Sequence, residues 1–154
     1  MHVLSALCLA VALAACAEPP PPPPPAAPAS PGAAALAATV DAHVAAIGAR
    51  DLDALLATVT ARDTLTLVFP DGAVLPTRQA FVDFHRAWFA DTSWTMTLRP
   101  VSSTVRDGLG IALLETTYTD AAGPRDAVLA LTFADEDGAW RLVFDQNTRV
   151  AAGP

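Results

Sequence analysis

Gly138-Ala139-Trp140-Arg141-Leu142-Val143-Phe144-Asp145-Gln146-Asn147-Thr148 is the stretch on which the reading of this chain turns. Successive side chains of an extended backbone point to opposite faces. Alternation here therefore sets Trp140, Leu142, Phe144 and Gln146 against Arg141, Val143, Asp145 and Asn147. The bulky apolar set predicts a strand over 139–150 with one side on a core. Working backwards, Asp135-Glu136-Asp137-Gly138 has the composition of a hairpin turn, and Arg125 to Ala134 sends Leu129, Leu131 and Phe133 one way. Leu109 to Thr119 and Ser93 to Val105 complete four antiparallel strands, turned at Arg106-Asp107-Gly108 and at 120–124. Within Ser93 to Val105, Pro100 and Val101-Ser102-Ser103 predict a bulge, because proline removes a ladder donor.

Upstream of Ser93 the apolar period changes from 2 to 3.6. Leu36, Val40, Val44 and Ile47 predict a helix ending near Gly48, and Asp51 is placed to cap a second, short helix carrying Leu52, Leu55, Leu56 and Val59. Thr64 to Phe69 alternates and is rich in branched residues, which predicts a strand. After the Pro70-Asp71-Gly72 turn and a brief extended piece at Ala73-Val74-Leu75, Thr77 caps a third helix with Phe81, Phe84, His85 and Trp88 on one side. The whole is an α+β domain over residues 33–154.

Charge and length narrow the function classes. The 154 residues carry a formal net charge of −7, with 9 basic side chains, all Arg, against 16 acidic ones. That field repels polyphosphate, and no run gathers the Arg residues, so nucleic-acid binding is disfavoured. One domain of this size buries enough surface to fold without disulfides or a structural metal.

The order helix, helix, strand, helix and four antiparallel strands, together with Arg50-Asp51-Leu52-Asp53-Ala54-Leu55-Leu56, Phe69-Pro70-Asp71-Gly72 and the 138–148 strand, resembles the nuclear transport factor 2-like superfamily. The Gly, Trp, apolar, polar-run pattern of that strand is similar to the SnoaL-like branch and to the association domain of calcium/calmodulin-dependent kinase. The resemblance spans residues 33–150. It implies a cone-shaped, cystatin-like fold in which three N-terminal helices pack on a curved antiparallel sheet, with a pocket at the open end and homodimers formed through the sheet. It does not imply one activity, because such a fold hosts isomerases, cyclases, dehydratases and pure binders.

Side chains expected at the pocket are Phe84, His85, Trp88, Trp94 and Gln146, the last because alternation aims its amide inward. His85 is a candidate general base, since an imidazole titrates near working pH; His43 points inward likewise. Glu115 is the other candidate base. It and Tyr118, three residues apart on one strand, fall on opposite faces and cannot act as a pair. In related sequences His is frequent at the positions matching Phe144 and Gln146; both are replaced here. No His-x-x-x-His or equivalent spacing appears, so no protein-ligated metal and no cofactor is expected. Two readings follow: a non-catalytic domain that binds a small apolar ligand or a protein partner, or alternatively an isomerase, cyclase or hydrolase using an inward His or Glu as base.

The N-terminus supplies an address. Residues 1–15 hold an uncharged apolar run of about 13 residues, shorter than the ~20 a membrane-crossing helix needs, and read as an export signal. Leu13-Ala14-Ala15-Cys16 resembles the bacterial lipobox, which implies Cys16 as the lipidated residue; by resemblance to enterobacterial sorting rules, Ala17 in place of Asp permits outer-membrane delivery, with either membrane left open. Cys8 would leave with the signal, so the mature domain has no free thiol. Residues 16–32, with the run Pro19 to Pro25, form a stiff polyproline spacer that stands the domain roughly 40 Å off the bilayer at ~3.1 Å per residue. The expected location is the bacterial cell envelope, lipid-anchored, with the domain in the periplasm.

Overall fold

Four long strands dominate the architecture because the second half of the chain keeps its period of 2 almost without interruption. The computed structural model describes residues 31–150. The N-terminal signal, the Cys16 lipid site and the spacer up to residue 30 lie outside them. In chain order the elements are α1 (Pro31–Ala49), α2 (Leu52–Leu56), β1 (Thr66–Val68), β2 (Val74–Leu75), α3 (Arg78–Ala90), β3 (Thr95–Arg106), β4 (Leu109–Asp120), β5 (Gly123–Glu136) and β6 (Ala139–Arg149). The strands form one curved sheet of order β2-β1-β6-β5-β4-β3, with the three helices packed on it. This is the expected α+β fold. A proline opens α1, where a missing N–H goes unneeded, so the helix takes in the last two residues expected in the spacer.

Local signals explain where elements begin and end. The Asp51 carboxylate accepts from the Ala54 N–H at the start of α2, and the Thr77 hydroxyl accepts from the Ala80 N–H at the start of α3. Helix α1 runs past Gly48, which stays within it, and ends instead on Arg50 in the left-handed region (φ 54°). Arg50 tolerates that backbone because its guanidinium lies 4.2 Å over the Trp94 ring and donates to the Trp94 carbonyl. Asp107-Gly108 and Asp137-Gly138, all with positive φ, make the two tight hairpin turns read from sequence.

Apolar residues from both layers make the core: Leu36, Val40 and Ile47 from α1, Leu55 from α2, Phe81 and Phe89 from α3, and Leu114, Leu129, Leu131, Phe133 and Leu142 from the sheet. By length and composition α1 is apolar enough over Gly32–Ala49 to cross a membrane; here its apolar side supplies one wall of that core. At Gly110 the helix layer and the sheet approach closely. A Cβ there would stand 2.8 Å from both methyl carbons of Leu36.

Two bulges bend the sheet. On β3 the register with β4 shifts between Pro100 and Ser102, so Val101 is the extra residue, as the proline predicted. The second was not read from sequence. On the β5–β6 ladder Phe133 pairs with Leu142 and Thr132 with Phe144, which leaves Val143 unpaired. Beyond it the alternation of β6 is inverted. Asp145 and Asn147 turn to the concave face, and Gln146 is exposed on the convex one. The expected inward aim of Gln146 is thereby corrected, because one inserted residue exchanges the two faces of a strand. The same segment pairs in parallel with β1, Leu67 lying against Asp145 and Val68 against Gln146.

Candidate functional site

Helix α3 leaves the concave face uncovered at one end, and there a cavity of about 380 Å³ opens. Its apolar wall is Phe84 and Trp88 of α3 with Phe69, Leu67, Met96 and Leu129. Its polar lining is His85, Thr116, Tyr118, Asp145 and Asn147. Arg125, Asp126, Arg149 and Asp71 stand at the polar rim. A mostly apolar hollow with a few convergent polar groups is the usual form of a small-molecule site.

His85 is 4% exposed and ringed by Phe81, Phe84, Trp88 and Phe89. Its Nδ1 lies 2.8 Å from the Phe81 carbonyl oxygen, an acceptor, so Nδ1 carries the proton and Nε2 keeps its lone pair. Burial lowers the imidazole to about 4, against the opposing effect of the Phe81 carbonyl. At neutral pH His85 therefore accepts a hydrogen bond and has no acidic proton to give from Nε2.

Asp145 is the converse case. It is 6% exposed, and burial lifts its carboxyl to about 7, although a hydrogen bond of 3.0 Å from Asn147 Nδ2 to Oδ1 works the other way. Near neutrality it is divided between acid and base, the condition for moving protons in either direction. The two groups share one cavity, and their environments push their titrations apart.

Of the other expected site residues, Phe84 and Trp88 line the cavity. Trp94 is buried behind them, its ring stacked 4.2 Å from Trp88 and its Nε1 donating to the Trp88 carbonyl at 2.8 Å. It braces the wall and does not line it. Glu115 is exposed on the convex face and paired with Arg99, so it is removed as a candidate base. Tyr118, on the opposite face, does line the cavity, with the Arg125 guanidinium 5.1 Å over its ring. His43 is buried away from the cavity: Thr58 donates its hydroxyl proton to the Leu55 carbonyl at 2.7 Å and so accepts from His43 Nδ1 at 2.8 Å. Burial first, and then the neighbouring His85, lower His43 to about 3.

Sequence alternation sets Asp145 and Asn147 on the face away from the pocket, bonding backbone or solvent; the bulge at Val143 brings both to the cavity instead. A signal was present: Leu142-Val143-Phe144 is three apolar residues in a row, which breaks a period of 2 and marks a bulge. Among the described residues no three His, Cys, Asp or Glu side chains converge as metal ligands would.

The SnoaL-like domain model matches residues 36–147, most of the chain. The chain belongs to the SnoaL-like family. No curated protein sequence matches it, but many solved structures share the fold. A candidate calcium/calmodulin-dependent protein kinase type II association domain from Thiobacillus denitrificans superposes with a TM-score of 0.65 at 24% identity, over 75% of this chain and 94% of that one. A candidate dehydratase of the NTF2-like family from Streptomyces avermitilis gives 0.67 at 16% identity, over 77% and 96%. A ketosteroid isomerase-like protein from Erwinia carotovora atroseptica gives 0.67 at 16%, over 80% and 100%. At these identities the SnoaL-like chain shares with them its NTF2-like, cystatin-like fold, and nothing more is taken from them about the site.

Proposed function

We propose that this SnoaL-like domain is an acid–base enzyme that moves a proton at carbon next to a carbonyl group of a small, mostly apolar substrate. The observation that carries the reading is a buried carboxyl, Asp145, lifted to about 7 on the wall of an otherwise largely apolar cavity. A carboxylate stripped of water is a stronger base than one in solution, and its pKa near operating pH suits both halves of a proton transfer. Asp145 takes the proton, the C–H electron pair forms a C=C bond to the carbonyl carbon while the C=O π pair moves onto oxygen as the enolate, and on the enolate's collapse the protonated carboxyl returns the proton at a conjugated carbon or to a departing hydroxyl. His85 Nε2 accepts a hydrogen bond from a substrate hydroxyl. Phe84 and Trp88 take the apolar body. The names dehydratase and ketosteroid isomerase-like, carried by two proteins of this fold, belong to the same reaction class.

The test is hydrogen–deuterium exchange, followed by proton NMR in D₂O, on a panel of enolisable cyclic ketones and hydroxyketones. Wild-type chain is expected to exchange at least one of them, and Asp145→Asn to slow that exchange by roughly 10²- to 10⁴-fold. Tight retention of a ligand that never exchanges supports instead a domain that binds without catalysis.

We also propose the envelope setting read from sequence: export, lipid on Cys16, a spacer, and two copies joined through the convex face, where Leu109, Ile111 and Leu113 are exposed on β4. Native mass spectrometry of chain purified from membranes reads both points. A diacylglyceryl mass lost in Cys16→Ser, and a two-copy species, are expected; an unmodified monomer speaks against both.

A further inference from the structure

Asp145 lies two residues from Asn147 on one face of β6, and the parallel pairing of β6 with β1 brings the Val68 carbonyl beside them. Asn147 Nδ2 reaches both acceptors, Asp145 Oδ1 at 3.0 Å and the Val68 oxygen at 3.3 Å. The amide has two N–H groups on that nitrogen, and both are spent. Among the described residues no other donor reaches the Asp145 carboxyl, so Oδ1 is tied to the neighbouring strand and Oδ2 has no protein partner.

From this geometry we propose that Asn147 is the positioning residue of the site: it anchors Oδ1 of Asp145 to the β1 backbone, fixes the carboxyl's orientation and leaves Oδ2 as the oxygen that carries the proton. The inference rests on the reading of Asp145 as the base. Its physical content is that a donor held against one oxygen stabilises the ionised form, so Asn147 offsets part of what burial does to the carboxyl. The other charged or titratable groups on the cavity are His85 from α3, Tyr118 from β4, Arg125 and Asp126 from β5, Asp71 from the turn after β1, and Arg149 on β6; α1 presents only Ile47 there. Arg125 is engaged with Asp120. None of these is hydrogen-bonded to Asp145 among the described residues.

The experiment is a carbon-13 NMR titration of the Asp145 side-chain carboxyl in the full chain without substrate, with Asp145→Asn identifying the signal. Replacing the amide by a donorless side chain of similar size, Asn147→Leu, is expected to raise the proton affinity of Asp145 by roughly tenfold. A lowered melting temperature with the Asp145 titration unmoved overturns the proposal and leaves Asn147 a strand-pairing residue only. Should Asn147→Leu fail to fold, Asn147→Ser, too short to bridge both acceptors, is read the same way. Because the titration needs no turnover, a normal shift with no exchange of any ketone would sink the base assignment and leave the anchoring intact.

Discussion

Two buried histidines lie near enough for their charges to interact, and only one of them is open to chemistry. His43 sits edge-on to Phe133, donates its Nδ1–H to the Thr58 hydroxyl and is almost fully buried. At the open end His85 is nearly as buried and equally bonded through Nδ1, but its neighbours leave the 380 Å³ hollow that it shares with Asp145. Burial and hydrogen bonding are thus alike at the two histidines. What differs is that His85 lines the cavity and His43 does not. A buried histidine by itself says nothing about catalysis, and the cavity decides.

The largest effect that would break this comparison is in the pH dependence of stability. His43 and His85 are held at about 3 and about 4, while in the unfolded chain they titrate near 6.5. As pH falls below 6.5 the unfolded state takes up protons first, so stability is lost down to pH 3–4, by about 5 and about 3 kcal/mol respectively. Asp145 runs the opposite way. Its folded carboxyl keeps a proton up to about 7 and its unfolded one only to about 3.8, so stability is lost as pH rises between those values, by about 4 kcal/mol. Melting curves of wild type and Asp145→Asn are expected to meet near pH 4 and to separate at pH 8 with the variant more stable. His43→Gln, which keeps a donor for Thr58, is expected to flatten the acid side only. Parallel curves for wild type and Asp145→Asn would show that the open end is wetter than its geometry requires.

How far each region was legible from residues alone follows the same division. Away from the cavity Leu36, Val40, His43 and Phe133 obey simple periods of 3.6 and 2, so their inward faces were readable, as were the caps at Asp51 and Thr77. The open end depends on events that periodicity averages away. One unpaired residue, Val143, exchanges Gln146 for Asp145 on the cavity wall. The parallel β1–β6 pairing that brings the Val68 carbonyl to Asn147 joins segments nearly 80 residues apart. On α3, Phe84, His85 and Trp88 were readable because a helix keeps its period. The placement of Glu115 and Tyr118 on opposite faces was readable too, but which face was inward needed the register of β4 against both neighbours.

A smaller effect sharpens the contrast in packing. Phe133 is fully buried opposite Gly110 and Leu142, where Gly110 makes room for Leu36. Its neighbours are locked by main-chain pairing on both sides and cannot collapse into a void, so Phe133→Ala is expected to cost about 3–5 kcal/mol by chemical denaturation. Phe84 is only half-buried, stacked on Trp88 at 5.7 Å and edge-on to Phe69 at 4.9 Å, with the cavity already on one side. Truncating it removes less buried surface and merges with space that water reaches, so Phe84→Ala is expected to cost about 1–2 kcal/mol. Its effect should show instead as weakened retention of apolar ligands, because the flat wall beside Trp88 is lost. Equal destabilisation by the two truncations would mean that the open end is packed as tightly as the core around Phe133, and that the hollow on which the acid–base reading stands is filled by the protein's own side chains.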